Sequence, residues 1–389
     1  MTRDQLLTEL RNTIAEILPR DAWIEAQGGA VLVDVRESHE TAAGAPAGAV
    51  LLPRSGLELN VEARLPDRGR PLMLLCGSGN RSLLAARDLM QLGYRDVCSI
   101  MGGFAAWKLA GLPVSTPDGL DEHERQRYAR QLILPEVGVA GQAKLKAARV
   151  LLVGVGGLGS PAALYLAAAG AGQLTLIDGD RVERSNLHRQ VLHREASIGE
   201  AKVDSGRAQL LALNPQITIR AIPDPLSADN VESLLRSHDL VIDGADNFAS
   251  RFLLNDAALR SRTPWVYGAV HRYEGQVSIF DPRRDDGPCY RCLFPAPPPP
   301  EAAPNCAEAG VLGAVPGVVG LLQATEALKL LLGIGTPLTG RLLCVDLRHT
   351  TFRELKLRRD PDCPGCGPAA RHTTPLREAS FACAAPFPS

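Results

Sequence analysis

The sequence predicts an α/β fold in which a doubly wound, mostly parallel sheet is preceded by a smaller α/β domain. Three observations predict it. Short apolar runs of strand length alternate with stretches of helical apolar spacing along both halves of the 389 residues. A glycine-rich turn joins such a strand to a helix after Val153, and a turn-rich stretch separates the two halves. Helices between successive strands imply parallel pairing, because a crossover must return the chain to the same end of the sheet.

The first half contains the elements of a small domain. Apolar runs at 31–35 and 72–75 have strand length, and residues 82–92 have helical apolar spacing. Residues 111–119 are rich in glycine, proline and other turn formers. We therefore predict a domain that ends there in a linker.

The second half begins with a charged helix over 121–131 and continues with alternating strands and helices. Strands at 149–153 and 173–178 flank a helix over 160–169. Further strands are predicted at 240–243, 265–269 and 277–281. The proline-rich residues 295–304 predict an extended, mobile loop inside this domain. The predicted organisation is a first domain over 1–115, a linker over 116–120, a second domain over 121–367 and a disordered Ala/Pro-rich tail over 368–389.

Composition excludes several classes of function. Hydrophobic residues make up 45% and charged residues 22%, which is typical of soluble globular proteins. The formal net charge of -1 provides no basic field for nucleic acid. Residues 1–20 lack the apolar core of a secretory signal, so we expect a cytoplasmic protein. The uncharged residues 150–177 are interrupted by glycines and Pro161, which favours a buried strand–turn–helix–strand unit over a membrane span.

A glycine turn is the candidate nucleotide site. Gly154, Gly156 and Gly159 fit the G-x-G-x-x-G pattern, with Gly157 among them. Such glycines let the backbone approach a phosphate, and the following helix N-terminus supplies partial positive charge. Asp178 ends the next strand, where a carboxylate can accept from ribose hydroxyls. On these residues alone, an NAD-dependent dehydrogenase is the first interpretation and a purely structural glycine turn the second.

Charged residues around the turn favour a triphosphate instead. Arg130 precedes the turn, and Arg189 and Lys202 follow it. Several cations suit ATP better than a dinucleotide, because charge must be neutralised as pyrophosphate leaves. Asp246 offers a carboxylate to Mg²⁺. The sequence has no G-x-x-x-x-G-K-S/T loop, which argues against a P-loop kinase.

With these motifs together, residues 121–367 resemble the MoeB/ThiF group of adenylyltransferases, relatives of the ubiquitin-activating enzymes. The resemblance implies that Asp178 binds ribose and that Arg189 and Lys202 contact phosphates. It implies that Asp246 holds Mg²⁺ and that Asn186 and Gln190 help to shape the site. It also implies a homodimer in which Arg130 reaches into the site of the partner subunit.

Two CxxC pairs predict a metal site. Cys289 and Cys292 form the first pair, and Cys363 and Cys366 form the second. Four soft thiolates suit tetrahedral Zn²⁺, although the second pair alone is also compatible with a redox dithiol. The family resemblance implies a structural zinc at these four cysteines.

Cys306 follows the proline-rich segment and is a candidate nucleophile. A buried inert thiol is the commonest fate of a free cysteine, but a thiol on a flexible segment can approach an acyl-adenylate. The resemblance implies a thioester or disulfide with a carrier protein, which not every member needs. Cys98, Cys344 and Cys383 are interpreted as core or tail thiols.

Cys76 and Arg81 enclose a short loop between a strand and a helix. A helix N-terminus and backbone N–H groups favour the thiolate, and Arg81 adds positive charge. Cysteine phosphatases use a similar loop, but theirs is one residue longer, and the smaller cradle suits sulfur better than phosphate. A module that only docks a partner is the remaining alternative, although it usually lacks the cysteine.

Over about residues 20–115 the first domain resembles single-domain rhodaneses. The supporting motifs are Val33-Asp-Val-Arg-Glu37, Gly48-Ala-Val-Leu-Leu-Pro53 and Gly102-Gly-Phe-Ala-Ala-Trp107. Ala45-Pro46-Ala47 departs from the commoner His-Ile-Pro of that family, which affects a packing detail only.

Together the resemblances imply a two-step enzyme. ATP first adenylates the C-terminal carboxylate of a ubiquitin-like sulfur-carrier protein, and a persulfide on Cys76 then converts it to a thiocarboxylate. The first choice of carrier is the molybdopterin-synthase small subunit, followed by the thiamin-pathway carrier or another thiolation carrier. The implied sulfur donor is a protein such as a cysteine desulfurase. A dehydrogenase and a non-catalytic scaffold that docks carriers remain more distant alternatives.

Overall fold

The computed structural model of this chain describes residues 2–42, 44–115, 119–296, 310–368 and 370. The chain divides into two compact units, Met1–Arg127 and Tyr128–Ser389. Residues 116–118 of the predicted linker, most of the predicted proline loop and nearly all of the predicted tail lie outside the described residues.

The first unit is built around a parallel sheet. Its strands are β1 (Ala15–Ile17), β2 (Val31–Asp34), β3 (Ala45–Pro46), β4 (Val50–Leu51), β5 (Leu72–Leu75), β6 (Val97–Ile100) and β7 (Val114–Ser115). Its helices are α1 (Arg3–Thr13), α2 (Pro19–Gln27), α3 (Ser38–Thr41), α4 (Leu57–Arg64), α5 (Asn80–Gln91), α6 (Gly103–Leu109) and α7 (Glu122–Arg127). Five strands form the sheet in the order β1-β6-β5-β2-β4, and each pairing in it is parallel.

The buried central strand β5 explains the layers of this unit. All four of its residues are buried, and successive side chains point to opposite faces of a strand. Leu72 and Leu74 pack with residues of α1, α4 and α5, whereas Met73 and Leu75 pack with residues of α2 and α6. The strands predicted at 31–35 and 72–75 are confirmed as central strands. The predicted helix 82–92 begins earlier, so Arg81 lies in the first turn of α5.

The second unit contains an eight-stranded sheet. Its strands are β8 (Arg149–Val153), β9 (Gln173–Ile177), β10 (Thr218–Ile222), β11 (Leu240–Asp243), β12 (Trp265–His271), β13 (Glu274–Phe280), β14 (Arg341–Asp346) and β15 (Thr351–Lys356). Its helices are α8 (Ala129–Leu132), α9 (Gly138–Ala147), α10 (Gly159–Ala169), α11 (Lys202–Leu213), α12 (Val231–Arg236), α13 (Phe248–Ser261), α14 (Tyr290–Leu293) and α15 (Ala314–Leu332). The strand order is β10-β9-β8-β11-β12-β13-β14-β15.

The sheet of the second unit is parallel from β10 to β12 and antiparallel from β12 to β15. The predicted doubly wound sheet is confirmed over the parallel half. Strands β14 and β15 are not predicted from the sequence, and β13 begins at Glu274, three residues before the predicted start at Val277. Every residue of β15 is exposed, so this strand lacks the buried apolar alternation by which a strand is recognised.

The predicted charged helix over 121–131 is two helices, α7 and α8, with Tyr128 between them. The membrane-like residues 150–177 fold as β8, α10 and β9, as the sequence predicts. Among the described residues, α15 is the helix long and apolar enough to cross a membrane by length and composition, and half of its apolar stretch is buried within the unit. It packs against α10 and β12 and contributes Val319 and Ala324 to the main core.

The position of β8 defines where a ligand can bind. The chain runs from β8 to β9 on one side, whereas β11 pairs with β8 on the other side. In doubly wound sheets, ligands bind in the crevice at the carboxyl ends of the strands where the winding changes direction. The glycine turn follows β8 at this point, and Asp246 follows β11.

Candidate active sites and metal centre

Two turns meet closely at the carboxyl ends of β8 and β11. Gly154 has a φ of +86°, a conformation that glycine adopts readily. A Cβ on Gly154 would lie 2.7 Å from the carbonyl oxygen of Gly244, and one on Gly159 would lie 2.0 Å from that of Gly154. Glycines therefore allow the approach that brings the glycine turn beside the loop that carries Asp246.

A cavity of about 580 Å³ opens where these turns meet, a size suited to a small-molecule ligand. Its wall contains eight of the predicted nucleotide-site residues: Gly154, Gly156, Gly157, Asp178, Arg189, Gln190, Lys202 and Asp246. Gly159, Asn186 and Arg130 are not among the described residues that line it. Arg130 is exposed on α8.

Backbone N–H groups fix the carboxylate of Asp178 in the cavity wall. The Val155 N–H donates to one oxygen at 2.8 Å, and the Asp180 N–H donates to the other at 2.9 Å. Burial raises the pKa of Asp178, and the charge of Lys202 together with these two N–H groups opposes that effect. Each carboxylate oxygen keeps a lone pair that can accept from a further donor such as a ribose hydroxyl.

Two of the cations that line the cavity, Lys202 and Arg189, are held by neighbouring side chains. Lys202 is buried at the start of α11, and its ammonium donates to the largely exposed Asp180 at 2.7 Å. Arg189 donates to the side-chain oxygen of Asn186 at 2.8 Å. Asn186 does not line the cavity itself but orients Arg189, which does. Asn186 is among the site residues predicted from the sequence, whereas Asp180 is not.

His193, which is not predicted from the sequence, forms a hydrogen bond with the backbone of the glycine turn. Its Nε2 lies 3.0 Å from the carbonyl oxygen of Val155, and its Nδ1 lies 3.0 Å from the hydroxyl of Ser205. Because a carbonyl oxygen only accepts, Nε2 carries a proton. Burial lowers the pKa of His193. No local motif identifies this residue, since its partner Val155 is 38 positions away in the sequence.

A buried ion pair fixes the loop that carries Asp246. Arg251 donates to the carboxylate of Asp243 at 3.1 Å and to the carbonyl oxygens of Ala245 and Gly268 at 2.7 and 3.0 Å. Burial raises the pKa of Asp243 to about 6, although the charge of Arg251 opposes the shift. This pair is not predicted from the sequence, because the residue type alone does not distinguish a buried arginine from a surface arginine.

The residues on either side of the proline-rich segment line the same cavity. Phe294 precedes the segment and Val311 follows it, and both contribute to the cavity wall. Cys306 itself lies outside the described residues, as do the other residues of 297–309.

The four CxxC cysteines come together in the second unit. Their sulfur atoms all lie within 4.8 Å of one another, and Cys289 and Cys363 are 3.5 Å apart, as are Cys292 and Cys366. Thiolates at about 2.3 Å from a tetrahedral Zn²⁺ lie about 3.8 Å from each other, so the donor set and its spacing fit this ion. Four protein ligands fill a tetrahedral shell, which is typical of a structural metal site.

The Cys76 loop forms a separate site in the first unit. The sulfur of Cys76 is buried and accepts from the Gly79 N–H at 3.2 Å. Arg81 is not a free charge, because it forms two 2.7 Å hydrogen bonds with the carboxylate of Glu40. These bonds, with the N–H of Glu37, lower the pKa of Glu40 to about 2. The pairing with Glu40 and the interaction with Cys76 raise the pKa of Arg81.

Comparisons with known proteins agree with the division into two units. The ThiF family model matches residues 128–365. This chain belongs to the ThiF family. A second model, for the rhodanese-like domain, matches residues 21–110 and includes the Cys76 loop.

The similar curated proteins are named as adenylyltransferases or as an activating enzyme. The Sulfur carrier protein adenylyltransferase of Thermus thermophilus is 52% identical over 249 residues, which cover 63% of this ThiF-family chain and 92% of the relative. The Adenylyltransferase and sulfurtransferase MOCS3 of Culex quinquefasciatus is 50% identical, but the match covers 64% of this chain and only 56% of the mosquito protein. The SAMP-activating enzyme E1 of Haloferax volcanii is 47% identical over 64% of this chain and 91% of its own.

Solved structures support the fold. The E. coli MccB complex with AMPCPP and MccA has a TM-score of 0.57 and 22% identity, covering 65% of this chain and 77% of its own. At this identity the likeness concerns the fold alone.

Proposed function

We propose that this chain is an adenylyltransferase and sulfurtransferase that activates the C-terminal carboxylate of a ubiquitin-like sulfur-carrier protein. One observation carries the proposal: a cavity at the switch point of a ThiF-family unit combines Asp178, Lys202, Arg189 and Asp246, and the same chain carries the Cys76 loop. The names of the Thermus and Culex relatives support both activities.

In the first step, the carrier carboxylate attacks the α-phosphorus of ATP and pyrophosphate leaves. A terminal carboxylate is ionised at neutral pH, so the step requires no general base. Asp178 holds the ribose, while Lys202 and Arg189 neutralise charge on the phosphates. Asp246, exposed at the cavity wall, would ligate the Mg²⁺ that accompanies ATP. Catalysis therefore depends on positioning and charge neutralisation.

In the second step, a persulfide on Cys76 attacks the acyl carbon and AMP leaves. The product is an acyl disulfide between the carrier and Cys76. A second thiolate then attacks the Cys76 sulfur, a disulfide forms with Cys76, and the thiocarboxylate leaves with the electron pair. An external thiol reductant must reduce that disulfide before the next turnover. Cys306 is the candidate within this chain, because Phe294 and Val311, which lie close in sequence to either end of its segment, line the adenylation cavity.

The remaining parts of the proposal concern partners and metal. The molybdopterin-synthase small subunit is the first choice of carrier, and a thiamin-pathway or other thiolation carrier is the alternative. A protein persulfide, such as that of a cysteine desulfurase, supplies sulfur. The exposed position of Arg130, away from its own cavity, supports a homodimer in which it serves the partner's site. Cys289, Cys292, Cys363 and Cys366 would hold one Zn²⁺, which would stabilise the fold of the second unit.

Carrier-dependent ATP–pyrophosphate exchange tests the proposal. Exchange should require the chain, Mg²⁺ and a carrier with a free C-terminus, and a carrier lacking its last two residues should not support it. A panel of purified carriers identifies the substrate by its exchange rate. Binding of carriers without exchange would support a docking scaffold, and NAD binding without exchange would support a dehydrogenase.

A further inference from the structure

A buried hydroxyl contacts the reactive sulfur of the first unit. The Oγ of Ser82 lies 3.6 Å from the sulfur of Cys76, 3.0 Å from the carbonyl oxygen of Gly79 and 2.8 Å from the Oγ of Ser99. Ser82 and Ser99 both have 0% exposure. Because both side chains are buried, their protons are shared among these protein acceptors and not with bulk water.

The acceptor to which the Ser82 hydroxyl donates depends on whether Cys76 is a thiol or a thiolate. The Gly79 carbonyl is the better acceptor while Cys76 is a thiol, since thiol sulfur accepts only weakly. A thiolate is a far stronger acceptor, because a hydrogen bond to a charged group is about twice as strong as a neutral one. The hydroxyl can therefore turn from Gly79 to Cys76 when the thiol loses its proton, and Ser99 can then donate to Ser82.

We propose that Ser82 is a catalytic residue for loading sulfur onto Cys76 and that Ser99 is its positioning residue. The inference rests on the proposed sulfurtransferase function. The thiol proton leaves to solvent, and the Cys76 thiolate attacks the terminal sulfur of a donor persulfide, R–S–SH. A sulfur–sulfur bond forms at Cys76, the donor bond breaks, and the electron pair leaves on R–S⁻, so no other oxidant or reductant is required.

The hydroxyl stabilises the attacking thiolate and returns to Gly79 once the Cys76 sulfur is bonded to sulfur. It adds a second donor to the Gly79 N–H, which already points at this sulfur at 3.2 Å. Two arginines lie near the loop: each is paired with a carboxylate, and Arg81 also interacts with Cys76. Arg81 binds Glu40 at the mouth of the loop, and Arg36 binds Asp34 in the interior of the unit. Ser82 is therefore a neutral donor to the sulfur from inside the unit.

The test measures alkylation of Cys76 by iodoacetamide in the full chain, with the Cys76 peptide followed by mass spectrometry. At pH 7, Ser82→Ala should slow alkylation about tenfold, the effect of one charge-assisted hydrogen bond. At pH 10, where an ordinary cysteine thiol is ionised, the rate should return to within about twofold of the wild-type rate. Ser99→Ala should slow the pH 7 rate about threefold, because the Ser82 hydroxyl remains. Ser82→Thr keeps the hydroxyl and should restore the rate, and Ser55→Ala is an exposed control.

At pH 7, the rate of sulfur loading onto Cys76 from a cysteine-desulfurase persulfide should fall in the same order as the alkylation rate: wild type, then Ser99→Ala, then Ser82→Ala. An unchanged pH 7 rate in Ser82→Ala overturns the inference. So does an equal defect at pH 7 and pH 10, because that pattern indicates a displaced sulfur and not a lost donor. If Ser82→Ala does not fold, an unchanged pH 7 rate in Ser99→Ala overturns it instead. If wild-type Cys76 is alkylated at pH 7 but accepts no sulfur from the persulfide, the proposed sulfurtransferase function fails.

Discussion

The sulfur of Cys289 lies 3.5 Å from the sulfur of Cys363, although the two residues are 74 positions apart in the chain. Cys289 follows β13, and Cys363 follows the edge strand β15. The antiparallel half of the sheet therefore brings together two pairs of thiols that no local zinc ribbon would join. The pairing depends on the fold, and a metal bound there would in turn stabilise that fold.

Removing one of these thiols should release the metal. We expect about one zinc per wild-type chain, and Cys289→Ser or Cys363→Ser should lower that content severalfold and destabilise the second unit. Elemental analysis of protein prepared without chelator measures the content, and thermal melting measures the stability. Cys344→Ser is the matched control, because Cys344 is a half-buried thiol of β14 outside the cluster. Native protein without zinc would contradict the assignment.

The charge of Lys202 should be essential for adenylation. Its ammonium is buried at the cavity wall, where it donates to Asp180. Lys202→Met removes a charge that stabilises the departing pyrophosphate, so pyrophosphate exchange should fall about a hundredfold or more. Lys144→Met is the control, since Lys144 donates to the carbonyl oxygen of Leu332 and does not line the cavity. A Lys202→Met variant with wild-type kcat and KM for ATP would exclude the phosphate role.

Much of this site could be predicted from the sequence because its chemistry is local. A few consecutive residues are enough to recognise the glycines after β8, the carboxylate after β9 and each of the two CxxC pairs. His193, Arg251 and Ser82 are not recognisable in this way, because each acts through a hydrogen bond to a residue that is close in space but distant in the sequence. The same limit explains Arg81, whose charge is apparent in the sequence while its pairing with Glu40, 41 positions away, is not.

The prediction of Arg130 in the partner's site can be tested by complementation. Asp246→Ala and Arg130→Ala should each abolish exchange with little change in thermal stability, because both side chains are exposed. Mixed dimers formed by co-expression would contain one site with both residues intact. An equal mixture should then recover about a quarter of the wild-type activity, since half of the dimers are mixed. No recovery, with mixed dimers detected by native mass spectrometry, would contradict the cross-subunit arrangement.

The burial of His193 should make stability depend on pH. Its folded pKa is lowered, so the unfolded chain binds the proton more readily. The stabilisation is therefore complete above the unfolded value of about 6.5 and is lost as pH falls through the folded value. His238 is buried with a lowered pKa and acts in the same direction. His193→Gln keeps a donor for Val155 and removes one of the two titrations.

The measurement compares urea midpoints at pH 7.5 and pH 5.5. The wild-type chain should lose more stability than His193→Gln over this range, by up to about 1 kcal/mol. A glutamine at His238 is the matched control, and it should reduce the pH dependence in the same way without touching the glycine turn. An equal loss of stability in the wild-type chain and His193→Gln would show that His193 binds protons equally in the folded and unfolded states, which would contradict the prediction.

Substitution of Cys76 should abolish the proposed sulfur transfer and leave the proposed adenylation intact. Adenylation uses a carboxylate nucleophile and needs no thiol, so Cys76→Ala should leave carrier-dependent pyrophosphate exchange within about twofold of wild type. The same variant should form no persulfide and should give thiocarboxylate only from added sulfide. Cys306→Ala should keep persulfide loading and slow release of the thiocarboxylate, whereas Cys98→Ala, a half-buried thiol whose pKa is raised by burial, should change neither. Mass spectrometry of the carrier provides the measurement. If Cys76→Ala still transfers donor sulfur at the wild-type rate, another residue delivers it.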